Sequence, residues 1–222
     1  MVALRRHQLV RLSDAGWRAL RERPWDDVAS ACLAHWSAQR LPLVVTRQLP
    51  ERGDTELALG LPAPWQWQRR RIALQVATRD VLYFDDFPTA DSIVGLLTTS
   101  KRRAWLELVG ALVDLGAAPR VYGSFGWQRL TGLHYLHAHS DLDLRLSVDD
   151  GAAADAVVAV LQRARITAPR LDGELVFPEG SAVAWREWSA WRAGQVDRIL
   201  VKRLQGVAME AGDAWLSECQ PC

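Results

Sequence analysis

Hydrophobic and polar positions change rhythm several times along the chain, and each change marks an element. Near the start, LRRHQLVRL places Leu4, Leu9, Val10 and Leu12 as buried positions of a first strand. Trp25, Val28, Cys32, Leu33 and Trp36 then recur at three- and four-residue steps. This predicts an amphipathic helix that starts at Pro24, carries Asp26 and Asp27 in its first turn, and ends near Arg40 before Pro42. From Leu43 the apolar runs shorten to LVVTRQ, TELALGL, RIALQV and VLYF, separated by Pro, Gly and charge, which is the pattern of a small antiparallel sheet. Phe84 to Ser100 is acidic, small and polar, and reads as a connection between two lobes. A second helix follows over Lys101 to Gly116, with Trp105, Leu108, Val109, Leu112 and Leu115 on one face.

The stretch Val121 to Leu146, VYGSFGWQRLTGLHYLHAHSDLDLRL, carries the chemistry. A short strand at Val121-Tyr122 runs through Gly123-Ser124 into a short helix, a corner where small residues let backbone N–H groups approach a phosphate. Ser140 to Leu144 then alternates with the two-residue period of a strand, so Asp141 and Asp143 share one face and Leu142 and Leu144 the other. Neighbouring carboxylates repel, and such a pair persists where something cationic sits between them; oxygen ligands favour magnesium. Arg145 falls on the same face if the alternation continues. An Ala/Val-rich helix over Gly151 to Arg165 comes next, then RLDGELVF, SAVAWREW and VDRILVKRL as three further strand candidates.

A Gly-Ser turn followed by an Asp-x-Asp strand resembles the signature of the nucleotidyltransferase superfamily typified by polymerase beta. YGSFGWQRLTGL, HSDLDL and LDGELVFPEGSAVAWREW, with RHQLVRL, LALGLPAP and RRRIALQV nearer the start, resemble more closely the holo-acyl-carrier-protein synthase of malonate decarboxylase, a phosphoribosyl-dephospho-CoA transferase. The resemblance implies an α+β architecture. A small mixed or antiparallel β lobe with one helix over residues 1–90 would precede a polymerase-beta-like catalytic domain over residues 101–222. It also implies transfer of phosphoribosyl-dephospho-CoA from triphosphoribosyl-dephospho-CoA to a serine of the apo acyl-carrier subunit, with release of pyrophosphate and with Mg2+ at Asp141 and Asp143. The superfamily supplies a third carboxylate from a neighbouring strand. Asp172 and Glu174 are both candidates, with Asp172 preferred, although Asp172-Gly173 also reads as a hairpin corner. Gly123, Ser124, Arg145, Arg70 in the basic run Arg69 to Arg71, and Lys202 are the candidate phosphate-binding residues.

Two other readings stand beside this one. Another acceptor would keep the reaction, whether a citrate-lyase-type carrier, a small molecule or a protein. An inactive homologue would only bind nucleotide or carrier.

Bulk properties narrow the field. With 27 Lys and Arg against 26 Asp and Glu, wholesale electrostatic binding to a nucleic-acid polymer or a membrane is not indicated. No apolar run approaches the roughly 20 residues needed to cross a bilayer, and three cysteines do not make a disulfide framework; the expectation is a cytoplasmic enzyme. His134, His137 and His139 suggest zinc only weakly, as does Cys219-x-x-Cys222. Trp185, Trp188 and Trp191, spaced by three, read as a helical core stripe before a base-stacking platform.

Overall fold

The computed structural model describes residues 4–49, 55–212 and 214–217. The Cys219-x-x-Cys222 pair lies outside them. The chain divides into two compact units, one of residues 1–87 with 130–135, the other of residues 88–129 with 136–222.

The first unit is built on a five-stranded antiparallel sheet in the order β4-β3-β2-β1-β5, comprising β1 (Leu9–Leu12), β2 (Leu43–Val45), β3 (Glu56–Pro62), β4 (Arg71–Ala77) and β5 (Val81–Asp85). Among its described residues it holds two α-helices before β2 where the sequence predicts one. The unexpected one is α1 (Asp14–Arg21), opened by Ser13, whose hydroxyl accepts from Gly16 N at 3.1 Å. Gly16 lowers its apparent helix propensity, yet a Cβ there would stand 2.8 Å from that of Asp80, so the close approach of the chain after β4 requires it. The second, α2 (Asp27–Ala38), starts later than Pro24 predicts because Asp26 is its N-cap and accepts from Ala29 N. Trp36 is fully buried on it, with Nε1 donating to Pro42 O at 3.1 Å.

The second unit is a six-stranded mixed sheet in the order β11-β10-β9-β8-β7-β6: β6 (Arg120–Tyr122), β7 (Leu142–Ser147), β8 (Leu171–Val176), β9 (Ala182–Ala184), β10 (Arg198–Lys202) and β11 (Val207–Ala211). Among the described strands only β7 and β8 pair in parallel, and that pairing needs a crossover, supplied by α5 (Gly151–Arg163) with Asp150 as its cap. The helix α3 (Thr99–Asp114) buries Trp105, Leu108, Val109 and Leu112 as its spacing predicts; Leu115 lies beyond its end and is exposed. Trp105 Nε1 donates to Ala90 O at 2.8 Å, and Ala90 and Ile93 join the same core. The segment read as a connection contains the boundary between the two units, after Phe87, and beyond it Ala90, Ile93 and Leu97 are buried in the core of the second unit.

Only Ala182–Ala184 of SAVAWREW is strand, after which α6 (Trp185–Arg192) sets Trp185 and Trp188 into the core, the stripe that three-residue spacing predicts. The edge strand β11 is an addition to the predicted set. Asp172-Gly173 is no hairpin corner: it sits inside β8, where Gly173 has φ +136° and a Cβ would fall 2.0 Å from Leu144 O. Glycine there is what lets β8 lie against β7.

Candidate active site

On β7 the sequence alternation is realised without a slip. Leu142, Leu144 and Leu146 are fully buried in the core, and Asp143, Arg145 and Ser147 occupy the other face, half-buried. Asp141 immediately precedes the strand. The parallel register sets Asp143 opposite Asp172 and Arg145 opposite Glu174, while the antiparallel neighbour β6 sets Tyr122 opposite Asp143. Asp143 thus stands in the middle of the acidic group, with a strand on each side.

Its third wall is the Gly-Ser corner. Gly123, at φ +61°, opens α4 (Gly123–Thr131) directly from β6, and a Cβ on it would fall 1.9 Å from Asp143 Oδ2. No side chain fits, so the carboxylate rests against bare backbone at a helix N-terminus. Ser124 occupies the next position, half-buried, and Phe125 and Trp127 anchor the helix in the core. Burial, then the neighbouring Asp172, Asp141 and Glu174, push the Asp143 carboxyl up to about 7. Arg170 offsets this only in part, so the carboxyl is left short of positive charge.

The four acidic candidates have different surroundings. Asp141 is held below the usual carboxylate range by Arg170, whose Nε donates to Oδ1 at 3.1 Å and whose Nη2 donates to Oδ2 at 2.5 Å. The same Nη2 reaches Asp172 Oδ2 at 3.3 Å. Asp172 remains about one-third exposed. Glu174, by contrast, is only 4% exposed and accepts from Lys202 Nζ at 2.7 Å. Its charge is committed to that pair across the sheet, and so is the charge of Lys202. Arg70 belongs to the other unit, where its guanidinium is paired with the α2 cap Asp26, and Arg69 lies over Trp65 at 4.8 Å.

Sequence reasoning missed Arg170. It immediately precedes the acidic strand, and its guanidinium supplies the positive charge that the paired carboxylates call for. Its side chain is 59% exposed, so a solvated alternative is always at hand. His134, His137 and His139 are exposed; His137 Nδ1 accepts from His139 N at 3.2 Å. Among the described residues, no three histidine, cysteine, aspartate or glutamate side chains converge as a ready metal site. With Arg170 drawn between Asp141 and Asp172, the donor chemistry still fits a hard cation: oxygen atoms only, from adjoining strands, with an excess of negative charge centred on Asp143.

Family models match along nearly the whole chain. Residues 5–87 match the phosphoribosyl-dephospho-CoA transferase MdcG N-terminal domain, and residues 90–212 its C-terminal domain. The chain belongs to the phosphoribosyl-dephospho-CoA transferase family. Curated relatives agree. A phosphoribosyl-dephospho-CoA transferase of Xanthomonas campestris pv. campestris is 36% identical over 90% of this chain and 91% of its own length. One of Bradyrhizobium diazoefficiens is 36% identical over 92% and 88%, and one of Azotobacter vinelandii 30% identical over 85% and 89%. No solved structure matches. The chain is thus a transferase enzyme of this family, and the acidic group described above lies within the part matched by the family's C-terminal domain. No helix among the described residues is long and apolar enough to cross a membrane.

Proposed function

We propose that this transferase moves the phosphoribosyl-dephospho-CoA group from triphosphoribosyl-dephospho-CoA onto a serine of the acyl-carrier subunit of malonate decarboxylase, in the cytoplasm, releasing pyrophosphate. The observation that carries the reading is the placement of Asp143, walled by Tyr122 and Asp172 across the sheet and by the backbone of Gly123. A Gly-Ser helix start facing an Asp-x-Asp strand supports the nucleotidyltransferase reading.

In the step proposed, the carrier serine Oγ forms a bond to the α-phosphorus of the triphosphate, the bond from that phosphorus to the bridging oxygen of pyrophosphate breaks, and the serine proton passes to a carboxylate. Asp172 is assigned that proton. It is adjacent to Asp143 in register and open to solvent, whereas Glu174 is buried and held by Lys202. The amides at the start of α4 and the Ser124 hydroxyl receive the pyrophosphate oxygens. Asp141 and Asp143 would hold Mg2+, which supplies charge neutralisation for the attacking and leaving oxygens when bound. For that, Arg170 must leave Asp141; its natural second position is on a donor phosphate, which guanidinium binds in a forked fashion. Arg70 and Arg145 remain candidates for donor or carrier contact through positive charge.

The Arg170 bridge also favours a second reading, a homologue that binds donor or carrier without turning it over. A lasting arginine clamp would hold the carboxylates away from any cation. Incubation with donor and apo carrier across a range of magnesium and manganese concentrations separates the two. Pyrophosphate release with a modified carrier supports transfer. Tight donor binding with no pyrophosphate at any metal concentration supports the inactive homologue, and modification of another acceptor alone rejects the malonate carrier.

A further inference from the structure

A cavity of about 450 Å³ lies beside the acidic group, lined by α5, α6, the loop that joins α5 to β8, and Leu171 at the start of β8. Its size falls in the range of roughly 300–1,000 Å³ usual for small-molecule sites. One part is apolar, from Leu161, Ile166 and Leu171. The remainder is polar and includes Gln162, Ser189 and Thr167 together with two guanidinium groups, those of Arg170 and Arg186.

Three details show what such a site would take. Arg186 lies over the ring of Trp185 at 4.2 Å, and the same guanidinium is fixed by donating through Nη2 to Leu171 O at 2.9 Å. A guanidinium held on an indole is a rigid planar shelf, and planar shelves of this kind stack nucleobases. Trp185 itself is 4% exposed and belongs to the core, so the indole under that guanidinium is held in place. Finally, Arg170 both lines the cavity and binds Asp141 and Asp172, so a phosphate at the cavity mouth would be adjacent to the reacting group.

We propose that this cavity seats the adenosine of the donor, the base lying along the Arg186–Trp185 shelf and the adjoining phosphates meeting Arg170. The proposal rests on the phosphoribosyl-dephospho-CoA reading for the identity of the donor. Within that molecule the adenosine is the compact, planar, phosphate-bearing part. The pantetheine arm is a narrow chain of amides and methylenes, for which neither a planar shelf nor paired guanidiniums has a use. Gln162, whose Nε2 donates to Ser189 Oγ at 2.6 Å, sets an amide and a hydroxyl at the edge where a purine presents its own donors and acceptors.

The test is calorimetric titration of the full chain with ADP, dephospho-CoA and pantetheine, alongside steady-state transfer to the apo carrier. Thr167→Trp fills the cavity from an exposed position, and Ser189→Phe fills it from the rigid α6. The expected result is that ADP and dephospho-CoA bind and compete, that pantetheine does neither, and that both variants weaken binding by about tenfold or more, as loss of a base-stacking contact gives. The donor KM should rise with kcat largely kept. Equal binding of dephospho-CoA to the wild type and both folded variants, or its displacement by pantetheine and not by ADP, overturns the proposal. If the carrier is modified with an unchanged KM in the variants, the cavity assignment fails and the transfer reading stands. If the carrier is never modified while ADP binding still depends on the cavity, the acceptor reading fails and the adenosine site stands.

Discussion

Asp143 Oδ2 occupies the space that the Cβ of any residue other than glycine would need at position 123, only 1.9 Å from where that atom would be. The helix start and the acidic strand are therefore interdependent. Gly123→Ala should force the carboxylate out of place and also bear the strain of φ +61°, roughly 1–2 kcal/mol. Gly132 has φ +71° with open space around a Cβ, so Gly132→Ala carries the backbone strain alone. Thermal melts should show modest destabilisation in Gly132→Ala and more in Gly123→Ala, which adds the clash with Asp143 to the same strain, with transfer lost only in Gly123→Ala. Equal activity in the two would mean that the contact with Asp143 is unimportant.

The raised Asp143 carboxyl has a sign that can be tested. Because it titrates near 7 in the folded chain and near 3.8 when unfolded, the folded state holds the extra proton between those values. Stability from this group is present at low pH and is lost as pH rises through 7. The full shift of about three units corresponds to about 4 kcal/mol as an upper bound. Relaxation and solvent around a half-buried group reduce this to roughly 1–2 kcal/mol. Asp143→Asn should therefore melt higher than the wild type at pH 8, by a few degrees for a chain of this length, with the gain vanishing towards pH 4. A lower melting temperature at pH 8 would show that the carboxylate is well accommodated without a cation.

Lys202 and Glu174 give a different pattern. Removing Lys202 takes the cation from a buried carboxylate, and breaking such a pair costs up to about 3–5 kcal/mol, less here because Lys202 is itself partly exposed. Lys202→Met should destabilise strongly, and the double variant Lys202→Met with Glu174→Gln should recover most of the loss. Donor affinity of the double variant should be close to that of the wild type. A large loss of donor affinity in that stable double variant would return Lys202 to the phosphate-binding set.

Much of this site was legible in the sequence because strand alternation is a short-range property. The sequence from Ser140 to Leu146 placed two aspartates on one face, and the strand keeps that register. The Gly-Ser corner was legible for the same local reason. The Glu174–Lys202 pair was not, since its members are 28 residues apart and meet only through strand order. Asp172-Gly173 pointed the wrong way: a dipeptide favoured in hairpins is used here for close packing of parallel strands, a tertiary need that local preference does not encode. The helix α1 was obscured by Gly16, retained for its approach to Asp80. Arg170 left one faint signal, a cation directly preceding an acidic strand.

The shared role of Arg170 yields one more expectation. Arg170→Ala should relieve competition for Asp141 and Asp172, so a titration with Mn2+ followed by its electron paramagnetic resonance should show tighter metal binding than in the wild type, while donor KM rises. Weaker Mn2+ binding in the variant would mean that the guanidinium organises the carboxylates and does not compete for them.

Mass measurement of the carrier tests the central claim most directly. With donor, magnesium and apo malonate carrier, the wild-type enzyme should add the mass of one phosphoribosyl-dephospho-CoA group to a single serine. Asp141→Asn and Asp143→Asn, though folded, should each slow this by at least about 100-fold, the scale seen when a charge-stabilising group is removed from a reacting centre. A carrier modified at near-normal rate by either variant would contradict the account.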